Sequence, residues 1–317
     1  MNRRSSLWAT FVALTWGINF VVIDAGLHDV PPLLFLAIRF TIVVIPAIFL
    51  VPRPAGPFRD VAVVGLLMGL GQFGLLYVAL DCGMPPGLAA LLIQTQVLLT
   101  VIIARVHLAE RLSRNQTVGL VVGAAGLGIV CLGRATTTPA IGLLLTLAAA
   151  LSWAIGNIAS RKVGSTSGLS LTVWSSTVVP LPMLGLSLAL EGPTRIAYAM
   201  GHLPVSAVLS TAYTAYVSTL IGFGIWNSLL ARYPAANVTP FALLVPPAGI
   251  ITAWLAQGEA PGWAEILGGG VLLVGVLGMV LGGSSQAATA AAQARKTRPG
   301  TSAAVRATGG SSTARAS

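Results

Sequence analysis

Ten apolar stretches, each close to the length of a membrane-spanning helix, fill most of this sequence. A spanning helix needs about 20 mainly apolar residues, because the hydrocarbon core holds no water to satisfy a free backbone. Only 8% of the residues are charged, against about 25% in soluble domains, so most of the surface must face lipid. The sequence therefore predicts an all-α membrane protein with about ten transmembrane helices, near residues 7–25, 33–51, 61–80, 87–107, 115–132, 140–159, 169–190, 205–230, 236–257 and 262–282.

The basic residues between these stretches predict the orientation, because cytoplasmic loops are enriched in Lys and Arg. With the N-terminus inside, one side of the membrane holds Arg3, Arg4, Arg53, Arg59, Arg105, Arg111, Arg114, Arg161, Lys162 and Arg232. The other side holds only Arg134 and Arg195. Both termini are expected in the cytoplasm. The net charge of +10 is thereby explained by topology, and no nucleic-acid partner is expected.

The two halves of the chain resemble each other. LTWGIN at residues 14–19 is echoed by LSWAIGN at 151–157, and an offset of 149 relates Pro85 to Pro234, Glu110 to Glu259, Gly119 to Gly268 and Gly126 to Gly275. Because each half contains five predicted helices, an odd number, the second half enters the membrane from the opposite side. Such inverted repeats place a transporter's substrate site near the midplane, between the halves.

This pattern predicts three segments. The first five-helix repeat covers residues 1–138 and the second covers residues 139–283. Residues 284–317 contain mainly Ala, Ser, Thr, Gly and Arg. A segment of this composition buries too little apolar surface to fold, so we expect a disordered cytoplasmic tail.

Polar side chains within the predicted helices are the candidates for a substrate pathway, because such groups are costly in lipid. Trp16 and Asn19 share one helix face, and so do Trp153 and Asn157. We expect these mirrored pairs to form the middle of one pathway. The alternative is interhelical hydrogen bonding that only stabilises the bundle. The other candidates are Gln72, Tyr77, Gln94, Gln96, Tyr213, Tyr216 and Asn227.

Spacing refines two of these groups. Gln94 and Gln96 point about 200° apart on a helix, so we expect one to line the pathway and the other to bond to a neighbouring helix. Tyr213, Tyr216 and Asn227 fall near one stripe of the eighth predicted helix. That stripe is compatible with a pathway wall and equally with helix packing.

Two further features lie within predicted helices. Arg39 is the only charged residue well inside one, about 9 Å from its outer end. It is predicted to be structural, in an ion pair with Asp24 or Asp81, and the alternative is attraction of a substrate carboxylate. Pro246 and Pro247 remove helical hydrogen bonds from the carbonyls four residues earlier, which predicts a kink or a gate with free carbonyls beside Gln94.

An intramembrane enzyme is the remote alternative. The sequence has neither an HExxH nor a GxSxG motif, and its three histidines fall at predicted membrane edges. Cys82 and Cys131 have no metal-binding spacing. We therefore predict no catalytic residue, no metal and no cofactor.

Short motifs in order along the chain resemble the EamA branch of the drug/metabolite transporter superfamily. They include WGINF at 16–20, GMPPGLA at 83–89, QTQ at 94–96, ERL at 110–112 and GFGIW at 222–226. The resemblance implies ten helices, a bacterial inner-membrane location and export of small metabolites. It is strongest towards bacterial exporters of amino-acid metabolites, which implies cysteine-like and O-acetylserine-like substrates.

A broad-specificity drug/metabolite exporter is the main alternative within this resemblance. Small multidrug relatives use a carboxylate deep in their first helix, whereas Asp24 lies at the end of that helix here. The expected partners are thus a small-molecule metabolite and the lipid bilayer. Oligomeric state and proton coupling are left open by the sequence.

Overall fold

The computed structural model describes residues 2–107, 113–134, 138–160, 162–163, 167–233 and 238–279. All regular structure within these ranges is helical. Seven helices are long and apolar enough to cross a membrane, and three shorter apolar helices accompany them, Pro32–Ala47, Phe241–Gln257 and Trp263–Met279. The chain is thus an all-helical, multi-pass membrane protein. Glu110 and the predicted tail lie outside the described residues.

Eleven helices are numbered here along the described chain. The first seven are α1 Arg3–Leu27, α2 Pro32–Ala47, α3 Phe58–Asp81, α4 Pro86–His107, α5 Arg114–Arg134, α6 Ala140–Ser160 and α7 Gly168–Leu190. They are followed by α8 Pro193–Gly201, α9 with its segments Val205–Ala212, Tyr213–Ile221 and Gly222–Arg232, α10 with Thr239–Leu244 and Val245–Gln257, and α11 Trp263–Met279.

The short helix α8 was not among the predicted helices. Gly192 precedes it with φ of 82°, a conformation that favours glycine, and Pro193 then occupies its first turn, where a missing N–H costs nothing. Its insertion explains a change in the repeat offset. Trp16 and Trp153 are 137 residues apart, whereas the equivalent segments after α8 are offset by 148 or 149.

Both α3 and α9 contain a nine-residue π-helical segment, Gly65–Phe73 and Tyr213–Ile221. These segments begin 148 residues apart, so they occupy equivalent places in the two halves of the chain. A π-helix is rare and is found frequently at functional sites, because its wider turn leaves backbone carbonyls poorly satisfied. The pair therefore directs attention to the interior faces of α3 and α9.

Glycines bring several helices into backbone contact. A Cβ added at Gly119 in α5 would lie 2.6 Å from the Gly275 carbonyl oxygen in α11. One added at Gly17 in α1 would lie 2.6 Å from the Val245 carbonyl oxygen in α10. Small residues permit such close approach between membrane helices. The α5–α11 contact is thus a glycine-mediated scaffold.

A carboxylate joins the two halves at the N-terminus of α2. The two proline residues at the start of α2 provide no side-chain cap. Glu191, which follows α7, instead accepts hydrogen bonds from the backbone N–H groups of Leu33 (2.7 Å) and Leu34 (3.2 Å). A carboxylate there satisfies free N–H groups and complements the helix dipole.

Candidate functional site

Helix α4 of the first half and helix α10 of the second half change their hydrogen-bond pattern at equivalent places. In α4 the N–H groups of Gln94, Gln96 and Val97 donate to carbonyls only three residues earlier, at 3.2, 3.2 and 3.0 Å. In α10 the residues Thr239–Leu244 form a 3₁₀ turn before the α-helix Val245–Gln257. The offset of 149 matches Ile93 to Ala242. Both helices are therefore discontinuous at equivalent positions.

These two discontinuities meet in the structure. The side-chain amide of Gln94 donates to the carbonyl oxygen of Ala242 at 3.3 Å. An α-helix would supply that oxygen with the N–H of the residue four positions later, but that residue is Pro246 and has none. The Val245 N–H donates to that oxygen instead, in the 3₁₀ turn, so the Ala242 carbonyl accepts both this bond and the one from the Gln94 amide. Discontinuous helices of this kind form the substrate and ion sites of many transporters.

The first helix of each half donates a side-chain hydrogen bond to the π segment of the other half. Trp16 Nε1 in α1 donates to the Ser218 carbonyl in α9 at 3.0 Å. Ser152 Oγ in α6 donates to the Leu67 carbonyl in α3 at 2.7 Å. In addition, the Tyr213 hydroxyl donates to the Thr15 carbonyl at 3.0 Å. Both π segments are therefore in contact with the opposite half.

The two glutamines bond to different helices, and the expectation that one of them lines the pathway stays a prediction. Gln96 Oε1 accepts from Asn157 Nδ2 at 2.9 Å, and Asn157 also lies 3.3 Å from Thr100 Oγ1. Because Gln94 bonds to α10 and Gln96 to α6, the 200° separation directs both amides to neighbouring helices. Neither is left as a free pathway group in this conformation.

Three buried polar side chains lie near these contacts, and two of them, Asn19 and Thr95, have an atom without a hydrogen-bond partner in the described residues. Asn19 is only 6% exposed, and its Oδ1 accepts no hydrogen bond within the described residues. Thr95, next to Gln94, is buried with its Oγ1 unpartnered over the same ranges. Gln72 in the first π segment is buried as well. Buried polar atoms without partners are costly, so these residues are candidates for contact with a polar ligand.

The mirrored Trp/Asn pairs differ in their contacts. Trp16 packs on Phe223 and Trp226, with ring centroids 5.0 and 5.2 Å away. Trp153 packs against the large core. Asn157 bonds to Gln96 and Asn19 does not, and no hydrogen bond joins the two asparagines in the described chain. Each pair contacts the opposite half, through Trp16 in one and Asn157 in the other.

Two tyrosines of the predicted stripe on α9 differ in their surroundings, and the role of Tyr216 as a pathway wall stays a prediction. Tyr213 bonds to α1, whereas Tyr216 is 46% exposed. The two residues are three apart, which places them together on an α-helix, but both belong to the π segment, whose wider turn changes their angular relation. The side chain of Asn227 lies outside the described part of the structure.

The predicted ion pair of Arg39 is also wrong. Arg39 is 1% exposed and forms no salt bridge within the described residues. Asp24 instead accepts from Gln257 Nε2 at 2.6 Å and lies 3.9 Å from His28. Arg39 Nη1 donates to the Tyr77 hydroxyl at 2.8 Å, and Nη2 donates to Thr219 Oγ1 at 3.0 Å.

Aromatic rings enclose this guanidinium. Its carbon lies 4.5 Å from the ring centre of Phe73, and 5.6 and 5.9 Å from those of Phe40 and Tyr77. Cation–π contacts contribute about 0.5–2 kcal/mol each. Phe73 closes the first π segment and Thr219 lies in the second, so Arg39 sits where both segments converge. Sequence reasoning missed Phe73 and Thr219, because π turns leave no recognised sequence signature.

A cavity of about 460 Å³ opens between the N-terminus of α1 and the end of α9. It is lined by Asn2, Arg4, Ser5, Trp8, Gly224, Ile225, Ser228, Leu229, Arg232 and Tyr233. Two of these residues are cationic. The described residues contain no cluster of three or more His, Cys, Asp or Glu with the geometry of a metal site.

Comparison with known proteins agrees with this geometry. The EamA-like transporter family matches residues 3–132 and 140–281. A protein of Salmonella typhimurium curated as "Probable amino-acid metabolite efflux pump" is 39% identical over 290 residues, covering 89% of this chain and 96% of the relative. The Escherichia coli K12 protein of the same name is 36% identical over 288 residues, with the same coverage.

A more distant relative and one solved structure extend the comparison. A "Probable terminal-alkyne amino-acid exporter" of Streptantibioticus cattleyicolor is 26% identical over 288 residues, covering 87% of this chain and 94% of that protein. A crystal structure titled only as that of a protein is 23% identical, with a TM-score of 0.57, and covers 94% of this chain and 100% of that one. The latter supports the fold alone. The chain therefore belongs to the EamA-like transporter family and is a membrane efflux transporter.

Proposed function

We propose that this transporter exports small amino-acid-type metabolites, similar to cysteine and O-acetylserine, across the bacterial inner membrane. The names of the two relatives above 35% identity support the substrate class. The observation that carries the transport mechanism is the contact between the discontinuities of α4 and α10, through Gln94 and the Ala242 carbonyl. When this contact opens, the Gln94 amide and the Ala242 carbonyl would offer a donor and an acceptor suited to a zwitterion, without the cost of a further buried charge.

The proposed mechanism is alternating access between two inverted five-helix repeats, residues 1–138 and 139–283. The equivalent π segments in α3 and α9, and the reciprocal bonds made by Trp16 and Ser152, support a two-fold relation between the repeats. Rocking of one repeat against the other would open the region around Gln94 to each side in turn. The mirrored Trp16/Asn19 and Trp153/Asn157 pairs remain proposed walls of this pathway.

The proposed topology has ten spans with both termini in the cytoplasm. It follows from the ten-to-two division of loop cations, and it requires the three shorter apolar helices to span with the seven long ones. Reporter fusions after residues 30, 83 and 260 are expected outside, and fusions after 56, 112, 165 and 290 inside. Two or more reversed positions would overturn this topology.

Overexpression tests the substrate class. Cells that overproduce the chain should accumulate cysteine-related metabolites in the medium and tolerate an excess of them. Vesicles loaded with O-acetylserine, assayed with and without a proton gradient, then determine whether export is coupled to protons. Protection against lipophilic cationic drugs alone would instead identify a broad-specificity drug exporter and overturn the proposal.

A further inference from the structure

Arg39 has hydrogen-bond partners but no counter-ion among the described residues. Its two bonds go to the neutral hydroxyls of Tyr77 and Thr219, and the surrounding rings of Phe73, Phe40 and Tyr77 are neutral. No carboxylate lies within 4 Å of it in the described residues. The positive charge is therefore held in place but not neutralised, in a helix interior where charge is costly.

The guanidinium of Arg39 also has N–H donors that form no hydrogen bond within the described residues. It carries five N–H groups in a planar fork, and the hydroxyls of Tyr77 and Thr219 take one each. Nε is buried without a partner within the described chain. Nε and the neighbouring Nη have the geometry that pairs side-on with a carboxylate through two parallel hydrogen bonds. A lysine would not provide this fork.

Arg39 lies where the two halves of the transporter meet. It projects from α2, its partner Tyr77 is in α3, and Thr219 belongs to the second π segment in α9. A ligand held by this guanidinium would therefore contact a group shared by both halves. That is the position from which ligand binding is able to bias their relative movement.

A cavity opens between the N-terminus of α1 and the end of α9, the helix that carries Thr219. The 460 Å³ opening is lined by Gly224 of α9 and contains the cations Arg4 and Arg232. Thr219 lies five residues earlier in α9, no more than about 7.5 Å along a helix axis. Phe223, the neighbour of Gly224, packs on Trp16 with the ring centroids 5.0 Å apart. Cations at the mouth favour the approach of an anionic group.

We propose that Arg39 binds the carboxylate of the exported metabolite, an inference that rests on the proposed function. The carboxylate pairs with Nε and one Nη, while the hydroxyls of Tyr77 and Thr219 keep the fork in place. The substrate supplies the counter-ion that the described residues do not provide. Arg39 is thereby a specificity determinant that favours substrates with a free carboxylate over esters and amines.

Binding measurements on the full-length protein in lipid nanodiscs test this assignment. The probes are L-cysteine, its methyl ester and cysteamine, which share a thiol and an amine but differ in the carboxylate. The wild type should bind cysteine about ten- to hundredfold more tightly than the other two, the effect of a charged hydrogen-bonded contact. Arg39→Gln should abolish that preference by weakening cysteine binding alone. Arg59→Gln, whose side chain is 86% exposed, is the matched control and should retain the preference.

Thr219→Val provides the second variant, in case Arg39→Gln does not fold. It leaves the cation in place but removes one of its anchors, and it should weaken cysteine binding severalfold with no effect on the methyl ester. Equal wild-type affinity for cysteine and its ester, or equal weakening of both by these variants, would overturn the assignment while leaving the proposed function intact. A wild type that neither binds any probe nor exports cysteine would overturn the proposed function itself.

Discussion

Helices α4 and α10 occupy equivalent places in the two halves, and both are discontinuous, but the discontinuity has a different cause in each. In α10 a proline is responsible, because Pro246 has no N–H to offer the Ala242 carbonyl. In α4 the equivalent residue is Val97. Its N–H is present but donates to the backbone carbonyl oxygen of Gln94 at 3.0 Å, three residues earlier, in a tighter turn. The break in α10 is therefore built into the covalent structure. The break in α4 depends on its surroundings.

This difference teaches how an internal repeat acquires distinct chemistry on each side. At the contact, α4 contributes a side-chain donor, Gln94, and α10 contributes a main-chain acceptor, Ala242. By the offset of 149, Gln94 corresponds to Leu243 in α10, whose side chain has no donor, so the repeat does not form this bond a second time. The asymmetry also predicts that the α4 break is able to change its hydrogen bonding during transport, whereas the α10 break persists.

The largest expected effect comes from copying the proline of α10 into α4. Val97→Pro should lower the free energy of unfolding by about 3 kcal/mol, because it removes the N–H that donates to Gln94 and places a ring in the preceding turn. Val97→Ala is the control for lost side-chain packing. Unfolding of both variants in detergent gives the comparison. A Val97→Pro variant as stable and active as Val97→Ala would show that α4 is as permanently broken as α10.

Variants that alter the contact between Gln94 and the Ala242 carbonyl should change the stability by a smaller amount. Gln94→Leu removes one interhelical hydrogen bond and should cost about 1 kcal/mol. Pro246→Ala supplies an N–H that competes for the Ala242 carbonyl, so Gln94→Leu should cost less in that background. Stability of the two single variants and the double variant measures this coupling. Strict additivity would mean that the contact between α4 and α10 is energetically unimportant.

The smallest expected effect concerns the bond between Gln96 and Asn157, which connects α4 to α6 rather than to α10. Interhelical hydrogen bonds in membrane proteins contribute about 0.6 kcal/mol on average. A double-mutant cycle with Gln96→Leu and Asn157→Leu should give a coupling of that size. Export by Asn157→Leu should fall while its membrane level stays near normal. Normal export would assign Asn157 to packing alone.

The sequence predicted the helices well and their irregularities poorly. Apolar stretches of spanning length identify membrane helices because backbone satisfaction in lipid permits few alternatives. Pro246 likewise predicted the break in α10. The π segments, the 3₁₀ turn at Gln94 and the hydroxyl partners of Arg39 were not predictable, because each arises from packing between helices distant in sequence. Asp24 and Asp81 were reasonable partners for Arg39 by charge, but the fold brings hydroxyls to it instead.

The bond between Glu191 and the start of α2 has a consequence for how the protein folds during its synthesis. When α2 leaves the ribosome, the residue that caps it has not yet been synthesised, since about 157 residues separate Leu34 from Glu191. The N–H groups of Leu33 and Leu34 must therefore remain with water or lipid headgroups until α7 arrives. The first half is thus completed by the second, and separately expressed halves should reach their mature form only when both are made together.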